Sequence, residues 1–427
     1  MPLPSPRATF AAALSLCLTA SAYAQNPAPA TIRVVACDQP VQSTKRGVCA
    51  NQLSEADFRA LAPGVSWFYN WHYESKDLPP AGVPVEFVPM AWGDRPADVA
   101  GLQAYLARTP KKPRAVLAII EPNLRDQAFI SPQQTANLYK RIKEVADRYS
   151  VPTVGPHMAL GSADKDSIKA MDPVQHKEIT YTFMVPFLEA VFNYLGTTPV
   201  TATAFHSYGA YGELKWAVGM MHDKFQKPVW VTEYAQWNAG GPDNALKYTM
   251  QATDLLERSP NVAGYAWFKE RVDKNPAISL FTRASGELTP IGQAYVHMPV
   301  HDANVYYRLP GRLQAESYVA MDKMEIQPTK DTDGFAFMGA EEPQGWLEYN
   351  VQVDAAGPYV LRFRVGGAAG KLEILQGNTT AGQVQGGGPG GWQTVETSLN
   401  LTAGPQKLRV RCENSNQAIN WIEFARK

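Results

Sequence analysis

The sequence predicts two domains, a parallel (β/α)8 barrel of the TIM type followed by an all-β jelly-roll sandwich. Two observations predict this architecture. Between about residues 46 and 298, eight short apolar runs alternate with amphipathic helical patterns, and roughly 250 residues is the usual size of such a barrel. From about residue 311 onward, short alternating segments are separated by Gly and Asn turns, which is typical of a β-sandwich.

The barrel strands are predicted from continuous apolar runs, because a parallel strand covered by helices is buried on both faces. The runs are residues 46–50, 65–71, 85–92, 115–121, 153–157, 201–208, 229–234 and 262–268. Serine caps predict two helix starts, Ser54 before an acidic first turn and Ser131 before Pro132. Further helices are predicted at 98–108, 174–194, 213–225 and 243–258. An open doubly wound sheet is the alternative, but no Gly-rich phosphate loop follows the first strand.

The second domain is predicted from six alternating segments, at residues 346–353, 359–365, 372–375, 393–399, 407–411 and 418–424. Residues 299–310 predict a linker between the domains. The predicted organisation is therefore a signal at 1–24, a barrel at 25–298, the linker, and a sandwich at 311–427.

Composition limits the classes of partner. The 427 residues include 40 Lys and Arg against 40 Asp and Glu, so the net charge favours neither nucleic acid nor an anionic membrane. No segment beyond the N-terminus is long and apolar enough to predict a membrane helix. The 10 Trp and 19 Tyr supply flat faces that can stack on sugar rings, although many of them will be core residues.

The N-terminus predicts a secretion signal. Arg7 gives a positively charged start, residues 10–20 are apolar, and Ala22-Tyr23-Ala24 has the form of a cleavage site. We therefore expect a mature chain that begins near Gln25 and is secreted or periplasmic.

The cysteine positions predict one local disulfide. Cys37 and Cys49 are close in sequence, and an exported protein folds in an oxidising compartment. Cys412 lies in an alternating strand pattern and is predicted to be a buried free thiol. The spacing fits no zinc site.

Two predicted strands end in a glutamate. Glu121 follows the fourth apolar run and is succeeded by Pro122 and Asn123, while Glu233 ends the seventh. These strand ends face each other across a barrel mouth, where barrel enzymes keep their chemistry. Paired carboxylates at such a mouth are typical of glycosidases, one acting as acid and the other as nucleophile or base. A single glutamate there would favour a surface ion pair, whereas two in matched contexts favour catalysis.

Five motifs resemble the strand ends of glycoside hydrolase family 128. They are Trp67-Phe68-Tyr69-Asn70-Trp71, Val88-Pro89-Met90-Ala91-Trp92-Gly93, Ala118-Ile119-Ile120-Glu121-Pro122-Asn123, Phe205-His206-Ser207-Tyr208 and Trp230-Val231-Thr232-Glu233-Tyr234-Ala235. That family belongs to clan A and acts on β-1,3-glucans. The resemblance implies that Glu121 is the acid/base and Glu233 the nucleophile of a retaining hydrolase, with no metal or organic cofactor in the chemistry.

The same resemblance implies a set of substrate contacts at the strand ends. Tyr208 and His206 are expected to position the nucleophile, and Trp267 to form an aromatic floor under the sugar. His157 is either a site residue or a satisfied core histidine, and Trp71 is predicted to point into packing. The full set of expected contacts is Tyr69, Asn70, Trp92, Asn123, His157, His206, Tyr208 and Trp267.

The C-terminal domain resembles family 6 carbohydrate-binding modules. The motifs are Leu313-Gln314-Ala315-Glu316-Ser317-Tyr318, Gly390-Gly391-Trp392-Gln393-Thr394-Val395 and Ile419-Asn420-Trp421-Ile422-Glu423-Phe424. The resemblance implies a structural Ca²⁺ with Glu316 and Gln314 among its oxygen ligands; an ion pair is the alternative for Glu316. It also implies a sugar cleft between Trp392 and an aromatic residue of 334–337, while interdomain packing is the alternative for Trp392.

The sequence thus predicts a secreted, monomeric, retaining glycoside hydrolase whose ligands are β-1,3-glucan polysaccharide and oligosaccharides. One departure from clan A is Ile120, which stands where the clan usually carries an Asn that contacts the sugar 2-hydroxyl. Two alternatives therefore stay open. One is a clan A glycosidase for another β-glycan, and the other is a secreted β-glucan-binding protein with little or no hydrolysis.

Overall fold

The computed structural model describes residues 31–427. The predicted signal and its cleavage site lie outside the described residues. Within them, no helix is both long enough and apolar enough to span a lipid bilayer.

The first domain is a closed ring of short parallel strands. After β1 (Arg33–Val35), which belongs to the second domain, the strands are β2 (Arg46–Cys49), β3 (Trp67–Tyr69), β4 (Glu86–Phe87), β5 (Met90–Ala91), β6 (Val116–Ala118), β7 (Thr153–Ala159), the hairpin β8 (Ile168–Met171) and β9 (Glu178–Tyr181), β10 (Ala202–Ser207), β11 (Val229–Tyr234) and β12 (Val262–Phe268). The parallel strands pair in the order β4-β3-β2-β12-β11-β10-β7-β6-β5.

The ring closes through its third strand, which is present as the two pieces β4 and β5. β4 pairs with β3, and β5 pairs with β6. The two residues between the pieces continue these ladders, since Val88 N donates to Phe68 O and Pro89 O accepts from Leu117 N, each at 2.9 Å. The ring therefore has eight strand positions, and the predicted TIM-like barrel is confirmed.

Helices cover the outside of the ring. They are α1 (Glu55–Leu61), α2 (Pro96–Arg108), α3 (Pro132–Arg148), α4 (Met184–Leu195), α5 (Tyr211–Phe225), α6 (Pro242–Arg258) and α7 (Pro290–His297), with short 3-10 turns at Asp164–Asp166 and Pro276–Ile278. Both predicted serine caps are confirmed, because Ser54 and Ser131 each form a capping box with the third residue of their helix.

One predicted helix is too long. Residues 174–183 do not join α4 but belong to the β8–β9 hairpin and the segment that follows it. The carboxylate of Asp172 accepts hydrogen bonds from the backbone N–H groups of Val174 and Gln175 at 3.0 and 2.7 Å. Such bonds from an aspartate to the backbone just after it favour a turn over a helix.

The second domain is all-β, as predicted. Its strands are β13 (Val305–Leu309), β14 (Gly311–Gln314), β15 (Ala320–Asp322), β16 (Met324–Pro328), β17 (Ala336–Ala340), β18 (Trp346–Val353), β19 (Gly357–Gly367), β20 (Gly370–Gln376), β21 (Thr379–Gly386), β22 (Gln393–Leu401), β23 (Gly404–Cys412) and β24 (Gln417–Arg426). One sheet has the order β1-β13-β18-β23-β20-β21, with β15 on β18; the other has the order β16-β17-β24-β19-β22, with β14 on β24. Both sheets contribute to one apolar core.

The predicted linker is wrong, because β13 lies within residues 299–310 and is an internal strand of the first sheet. It pairs in parallel with β18 on one side and with β1 on the other. Its alternate residues Val305, Tyr307 and Leu309 are buried. This is the alternation of a half-buried strand, and the burial of these three side chains holds β13 in the sheet. Residues 33–35, predicted to belong to the barrel, are therefore part of the second domain.

The predicted disulfide is also wrong. Cys49 is buried in β2, where its thiol donates to Thr232 O at 3.2 Å. Cys37 lies in the segment after β1, and its thiol donates to Arg308 O at 3.2 Å. Within the part of the chain that the structure describes, both are free thiols, and Cys412 is a buried free thiol, as predicted.

The two domains meet along α6. Asp254 is buried and accepts a hydrogen bond from Tyr318 OH, and its Oδ1 lies 3.1 Å from His301 Nε2. The imidazole of His301 also stacks on Tyr318, with ring centroids 4.1 Å apart. Burial alone would raise the pKa of Asp254, but the hydrogen bond and charge of His301, with Arg258, hold that pKa below its ordinary value.

Candidate active site

The two glutamates meet at the carboxyl end of the barrel. Glu121 is 6% exposed and Glu233 is 5% exposed. One carboxylate oxygen of each and a ring nitrogen of His206 lie within 4.8 Å of one another. The backbone leading to Glu121 has left-handed φ values, 64° at Ile119 and 35° at Glu121 itself. Such values are unfavourable for residues other than glycine and concentrate at functional sites.

Three donors hold the carboxylate of Glu233. Its Oε1 accepts from Tyr69 OH at 3.0 Å and from Trp71 Nε1 at 2.6 Å, and its Oε2 accepts from Tyr208 OH. Burial, followed by the negative charge of nearby groups, raises the pKa of both tyrosines well above its ordinary value. Both phenols therefore remain donors, and they fix the direction of each carboxylate oxygen.

A chain of hydrogen bonds runs beneath the pair. His157 Nε2 donates to Val154 O at 3.2 Å, and its Nδ1 lies 2.7 Å from Thr232 Oγ1. Burial and the neighbouring His206 lower the pKa of His157 well below its ordinary value. Because His157 is neutral and carries its proton on Nε2, its Nδ1 accepts from the Thr232 hydroxyl.

The direction of this chain fixes the tautomer of His206. Since Thr232 donates to His157, its oxygen accepts from His206 Nε2 at 3.1 Å. The remaining nitrogen, Nδ1, lies 2.8 Å from Glu121 Oε1 and 3.5 Å from Glu233 Oε2. Burial opposes a charge on His206, but the charge of Glu233 and the bond to Glu121 outweigh it and raise the pKa of His206 above its ordinary value. Glu121 and His206 can therefore exchange one proton between Oε1 and Nδ1.

The carboxylates open into a cavity of about 990 Å³. One side is formed by residues that follow the first, second, third and eighth barrel strands, namely Asn51, Trp71, Trp92, Phe268 and Lys269. The other side follows the fourth, fifth and sixth strands and includes Leu124, Gln127, Leu160, Gly161, Phe183, Gly209, Glu213 and Trp216. The cavity therefore extends to both sides of the carboxylate pair.

A smaller cleft of about 570 Å³ lies in the second domain. It is lined by Trp392 and Phe337, whose rings meet edge to face with centroids 5.4 Å apart. Phe337 is the aromatic partner expected from residues 334–337. Glu325, Gln327 and Asn416 add polar groups to the same cleft, so it combines aromatic faces with hydrogen-bonding groups.

A cluster of buried oxygen atoms lies at the edge of the same domain. Among residues 31–427, both carboxylate oxygens of Glu316 and the side-chain oxygens of Gln314 and Asn420 have no hydrogen-bond partner. A methyl group at Gly334 would lie 2.6 Å from Asn420 Oδ1 and 3.1 Å from Gln314 Oε1, so glycine leaves space beside these oxygens. Burial raises the pKa of Glu316 to about 8. Unpaired buried oxygens of this kind fit a hard cation.

Known proteins share this architecture. A family model described as "Glycosyl hydrolase catalytic core" matches residues 47–295. The solved structure of a GH128 subgroup II endo-β-1,3-glucanase from Sorangium cellulosum is 30% identical, with a TM-score of 0.51, over 60% of this chain and 100% of that chain. A second such enzyme, from Pseudomonas viridiflava, is 32% identical, with a TM-score of 0.50, over 61% and 100% of the two chains. This chain belongs to glycoside hydrolase family 128.

The second domain of this family 128 hydrolase matches the model "Carbohydrate binding module (family 6)" over residues 314–426. A curated relative, the clotting factor G alpha subunit of Tachypleus tridentatus, is 27% identical over 122 residues. That match spans 27% of this chain but 18% of the relative. The chain thus covers less than a fifth of that protein.

Within the family 128 barrel, several expected contacts lie where the sequence predicts. Tyr208, His206 and Trp92 line the cavity, and the guanidinium of Arg95 covers one face of Trp92 at 4.0 Å from the ring centroid. Tyr69, also expected to contact the sugar, does not line the cavity: its side chain is fully buried, and its hydroxyl donates to Glu233 Oε1.

Two expected contacts have structural roles instead, and a third lies beneath the site. Asn123 is fully buried and holds the end of β7, because it donates to Ala159 O and accepts from Ala159 N. Asn70 bonds only within its own loop, to Glu74 O and His72 N. His157 is the buried base of the hydrogen-bond chain and does not reach the cavity.

The prediction for Trp267 is wrong. Its side chain is 0% exposed, and its Nε1 donates to Ile278 O at 2.8 Å. The ring packs against Tyr234 and Tyr295 in the barrel core. Consecutive strand residues point to opposite faces, so the next residue, Phe268, lines the cavity.

The prediction that Trp71 points into packing is also wrong. Its backbone has a φ of 60°, and its indole N–H reaches Glu233. Sequence reasoning also missed Thr232, whose hydroxyl joins the two histidines. The available signal was its position immediately before Glu233 in β11.

Proposed function

We propose that this family 128 enzyme is a secreted, retaining hydrolase that cleaves β-1,3-glucan by double displacement. The observation that carries the mechanism is the approach of the Glu121 and Glu233 oxygens within 4.8 Å. Retaining glycosidases have carboxyl groups about 5–5.5 Å apart, and inverting enzymes about 6.5–9.5 Å. The two relatives that are 30% and 32% identical, both endo-β-1,3-glucanases, support the choice of substrate.

In the first step Glu121 donates its proton to the glycosidic oxygen while a Glu233 oxygen attacks the anomeric carbon. The bond from that carbon to the leaving oxygen breaks, and a glycosyl ester of Glu233 forms. In the second step Glu121 takes a proton from water, the water oxygen attacks the same carbon, and Glu233 leaves as a carboxylate. The net reaction adds one water and regenerates both side chains.

The surrounding residues support each step. Tyr69 and Trp71 aim Oε1 of Glu233, and Tyr208 holds Oε2, so the nucleophile needs no reorientation during attack. His206 Nδ1 lies 2.8 Å from Glu121 Oε1 and can share the proton that Glu121 regains from water in the second step, until the next turnover uses it. Ile120, which replaces the usual Asn, contributes no hydrogen bond to the sugar, so we assign transition-state stabilisation mainly to the groups around Glu233.

We propose that the second domain is a jelly-roll module that binds glucan in the cleft of Trp392 and Phe337. A Ca²⁺ would be held by Glu316, Gln314 and Asn420, whose unpaired oxygens support this assignment. When bound, the cation would neutralise the buried carboxylate and stabilise the fold. The cation has no part in the chemistry that we propose for the barrel.

We further propose that the protein acts outside the cytoplasm, either secreted or periplasmic, and as a monomer. The signal pattern at residues 1–24 supports the location. The site in one chain already contains an acid, a nucleophile and their positioning groups, which supports a monomer.

The test is product release from a linear β-1,3-glucan. We expect the parent to release reducing ends, with the β-anomer formed first in an NMR time course, as retention requires. Glu121→Gln and Glu233→Gln should each lose at least about 10²–10⁴-fold in kcat. The matched control is Glu178→Gln, an exposed glutamate in β9 that should retain activity.

Other outcomes would contradict the proposal. Binding of glucan by the parent without release of any product would favour the glucan-binding alternative. Release of products only from a different β-glycan would favour the alternative of a clan A glycosidase for that glycan. An α-anomer as the first product would reject retention.

A further inference from the structure

Trp216 is an exposed aromatic side chain at the cavity. It lies in α5, is 52% exposed, and is among the few large apolar side chains exposed in the described part of the chain. A tryptophan exposed to water gains little from packing, so a free surface position calls for an explanation. Trp216 lines the cavity that holds Glu121 and Glu233, and nothing in the two-glutamate mechanism uses it.

Phe183 supports Trp216 from behind. The two rings are stacked, with centroids 5.9 Å apart and planes 27° apart. Phe183 precedes α4 and follows the β8–β9 hairpin, so two separate barrel loops build the pair. A stacked partner fixes the orientation of the indole and leaves its other face free, which is the arrangement of an aromatic platform.

A carboxylate lies beside the platform. Glu213 is exposed, stands one helical turn before Trp216 and lines the same cavity. Its Oε1 lies 2.1 Å from the point where a Cβ at Gly209 would lie, so the carboxylate lies directly against the loop that follows β10. A flat aromatic face flanked by a hydrogen-bond acceptor suits a sugar ring, which has an apolar face and hydroxyl groups at its edge.

The location of the platform decides which part of the substrate it meets. Tyr69 and Trp71, on the side of the second strand, hold Glu233, which attacks the glycone. Glu121 protonates the oxygen that leaves with the aglycone. Phe183 follows the fifth strand, which pairs with the strand of Glu121, and Trp216 and Glu213 follow the sixth, across the cavity from Trp71. The platform therefore lies on the aglycone side of the bond that breaks.

We propose that Trp216, backed by Phe183 and flanked by Glu213, is a binding subsite for a glucosyl residue of the leaving portion of the glucan. This inference rests on the proposed function for the identity of the sugar. Cavity on both sides of the carboxylates, with a platform on the leaving side, favours cleavage within a chain. The same platform would hold an acceptor sugar, so it also favours transfer of the glycosyl group to a second glucan over transfer to water.

The first test compares two substrates with the same glycone. One is a linear β-1,3-linked glucohexaose, and the other is a β-1,3-linked glucotriosyl fluoride, whose leaving group is a single atom that cannot touch Trp216. We expect Trp216→Ala to lose about tenfold more kcat/KM on the hexaose than on the fluoride. Trp216→Phe should recover most of that loss. The control is Trp346→Ala, in the second domain. Equal losses on both substrates would overturn the subsite.

The second test separates this inference from the proposed function. It measures hexaose binding by calorimetry in the Glu233→Gln variant. Trp392→Ala is added so that the cleft of the second domain no longer binds the hexaose. We expect Trp216→Ala to weaken binding by about tenfold in that background, whether or not the parent turns glucan over. An unchanged dissociation constant would overturn the subsite, while an inactive parent would overturn only the proposed function.

Discussion

His206 Nδ1 lies 2.8 Å from Glu121 Oε1, and the opposite ring nitrogen is committed to Thr232. The carbonyl of Val154 orients His157, His157 orients the Thr232 hydroxyl, and that hydroxyl orients His206. A backbone carbonyl of β7 thus determines which nitrogen faces the acid. We assign His206 a positioning role, because it contacts Glu121 and needs no contact with the substrate.

The first prediction concerns pH. The charge of Glu233 and the bond to Glu121 outweigh burial and raise the pKa of His206 above its ordinary value of about 6.5. The proton shared by His206 and Glu121 is therefore kept at neutral pH and lost as pH rises through the raised value, so kcat/KM should fall on that alkaline side. His206→Gln removes the imidazole that shares this proton, so the alkaline limb should move to lower pH.

The measurement is kcat/KM against pH on one glucan for both proteins. His297→Gln is the control, since His297 does not line the cavity and its Nδ1 bonds to Gln293 O on α7. An alkaline limb that stays in place in His206→Gln would contradict the shared proton.

The second prediction concerns the hydroxyl of Thr232. Thr232→Val keeps the shape but leaves His157 Nδ1 and His206 Nε2 without their partner. We expect a loss of about 1–3 kcal/mol in the free energy of unfolding and a fall of roughly tenfold in kcat, because His206 no longer holds a single tautomer.

Denaturant unfolding and steady-state kinetics would measure these effects. Thr232→Ser keeps the hydroxyl and should restore kcat more fully than it restores stability. If Thr232→Ser and Thr232→Val lower kcat equally, the Thr232 hydroxyl does not connect His157 to His206 in the way we infer.

The third prediction concerns the hydrogen bond from Tyr208 to Glu233. Tyr208→Phe removes one donor to a buried carboxylate, and bonds to charged groups are worth about 1.5–3 kcal/mol. We expect kcat to fall by roughly 10–100-fold with a smaller change in KM, because the bond aims the nucleophile. Tyr194→Phe, whose hydroxyl bonds to Met171 O outside the cavity, is the control. A change in KM alone would assign Tyr208 to substrate binding.

The fourth prediction concerns calcium and stability. Without metal, burial raises the pKa of Glu316 to about 8, above the value of about 4.3 for an unfolded chain. The folded protein therefore binds more protons than the unfolded chain between these values, and stability should fall as pH rises from about 5 to 8. Added Ca²⁺ should raise Tm most at the alkaline end, because the cation takes the ionised carboxylate.

Tm with chelator and with Ca²⁺, measured across this pH range, tests the idea. In Glu316→Gln both the pH slope and the response to Ca²⁺ should shrink. At pH 7, calcium binding should also release close to one proton, which titration in two buffers of different ionisation enthalpy would detect. A Tm that is unchanged by Ca²⁺ at every pH would reject the site.

The barrel and its glutamate pair were predictable, because the apolar runs mark the buried strands and a carboxylate ends two of them. Which of the two residues Trp267 and Phe268 lines the cavity was not predictable. The ladder between β11 and β12 shifts register between Val231 and Tyr234, so the alternation of faces cannot be counted through to the strand end. The inward turn of Trp71 depends on a left-handed backbone angle that its residue type does not favour.

The second domain shows a different limit to prediction from the sequence. Its alternating strands were predictable from local pattern, as were Trp392 and Glu316 from their motifs. The pairing of β13 with β1 joins residues some 270 positions apart, for example Arg33 with Val305. No local pattern contains that information, so the sequence alone predicts a linker where β13 lies. Asn420 was missed as a candidate ligand for the related reason that only folding brings it beside Gln314.

The position of β1 also affects how the two domains can move. The chain leaves the sheet of the second domain after β1, builds the whole barrel, and returns to the same sheet at β13. The barrel is therefore an insertion with two covalent connections, residues 36–45 and 298–304, rather than a body on a single flexible tether. Two anchors restrict swivelling, so the catalytic cavity and the Trp392 cleft should approach a glucan surface in one fixed mutual orientation. The same arrangement affects folding during synthesis. β1 is made first, but it cannot pair with β13 until the ribosome has also made all the barrel residues between them.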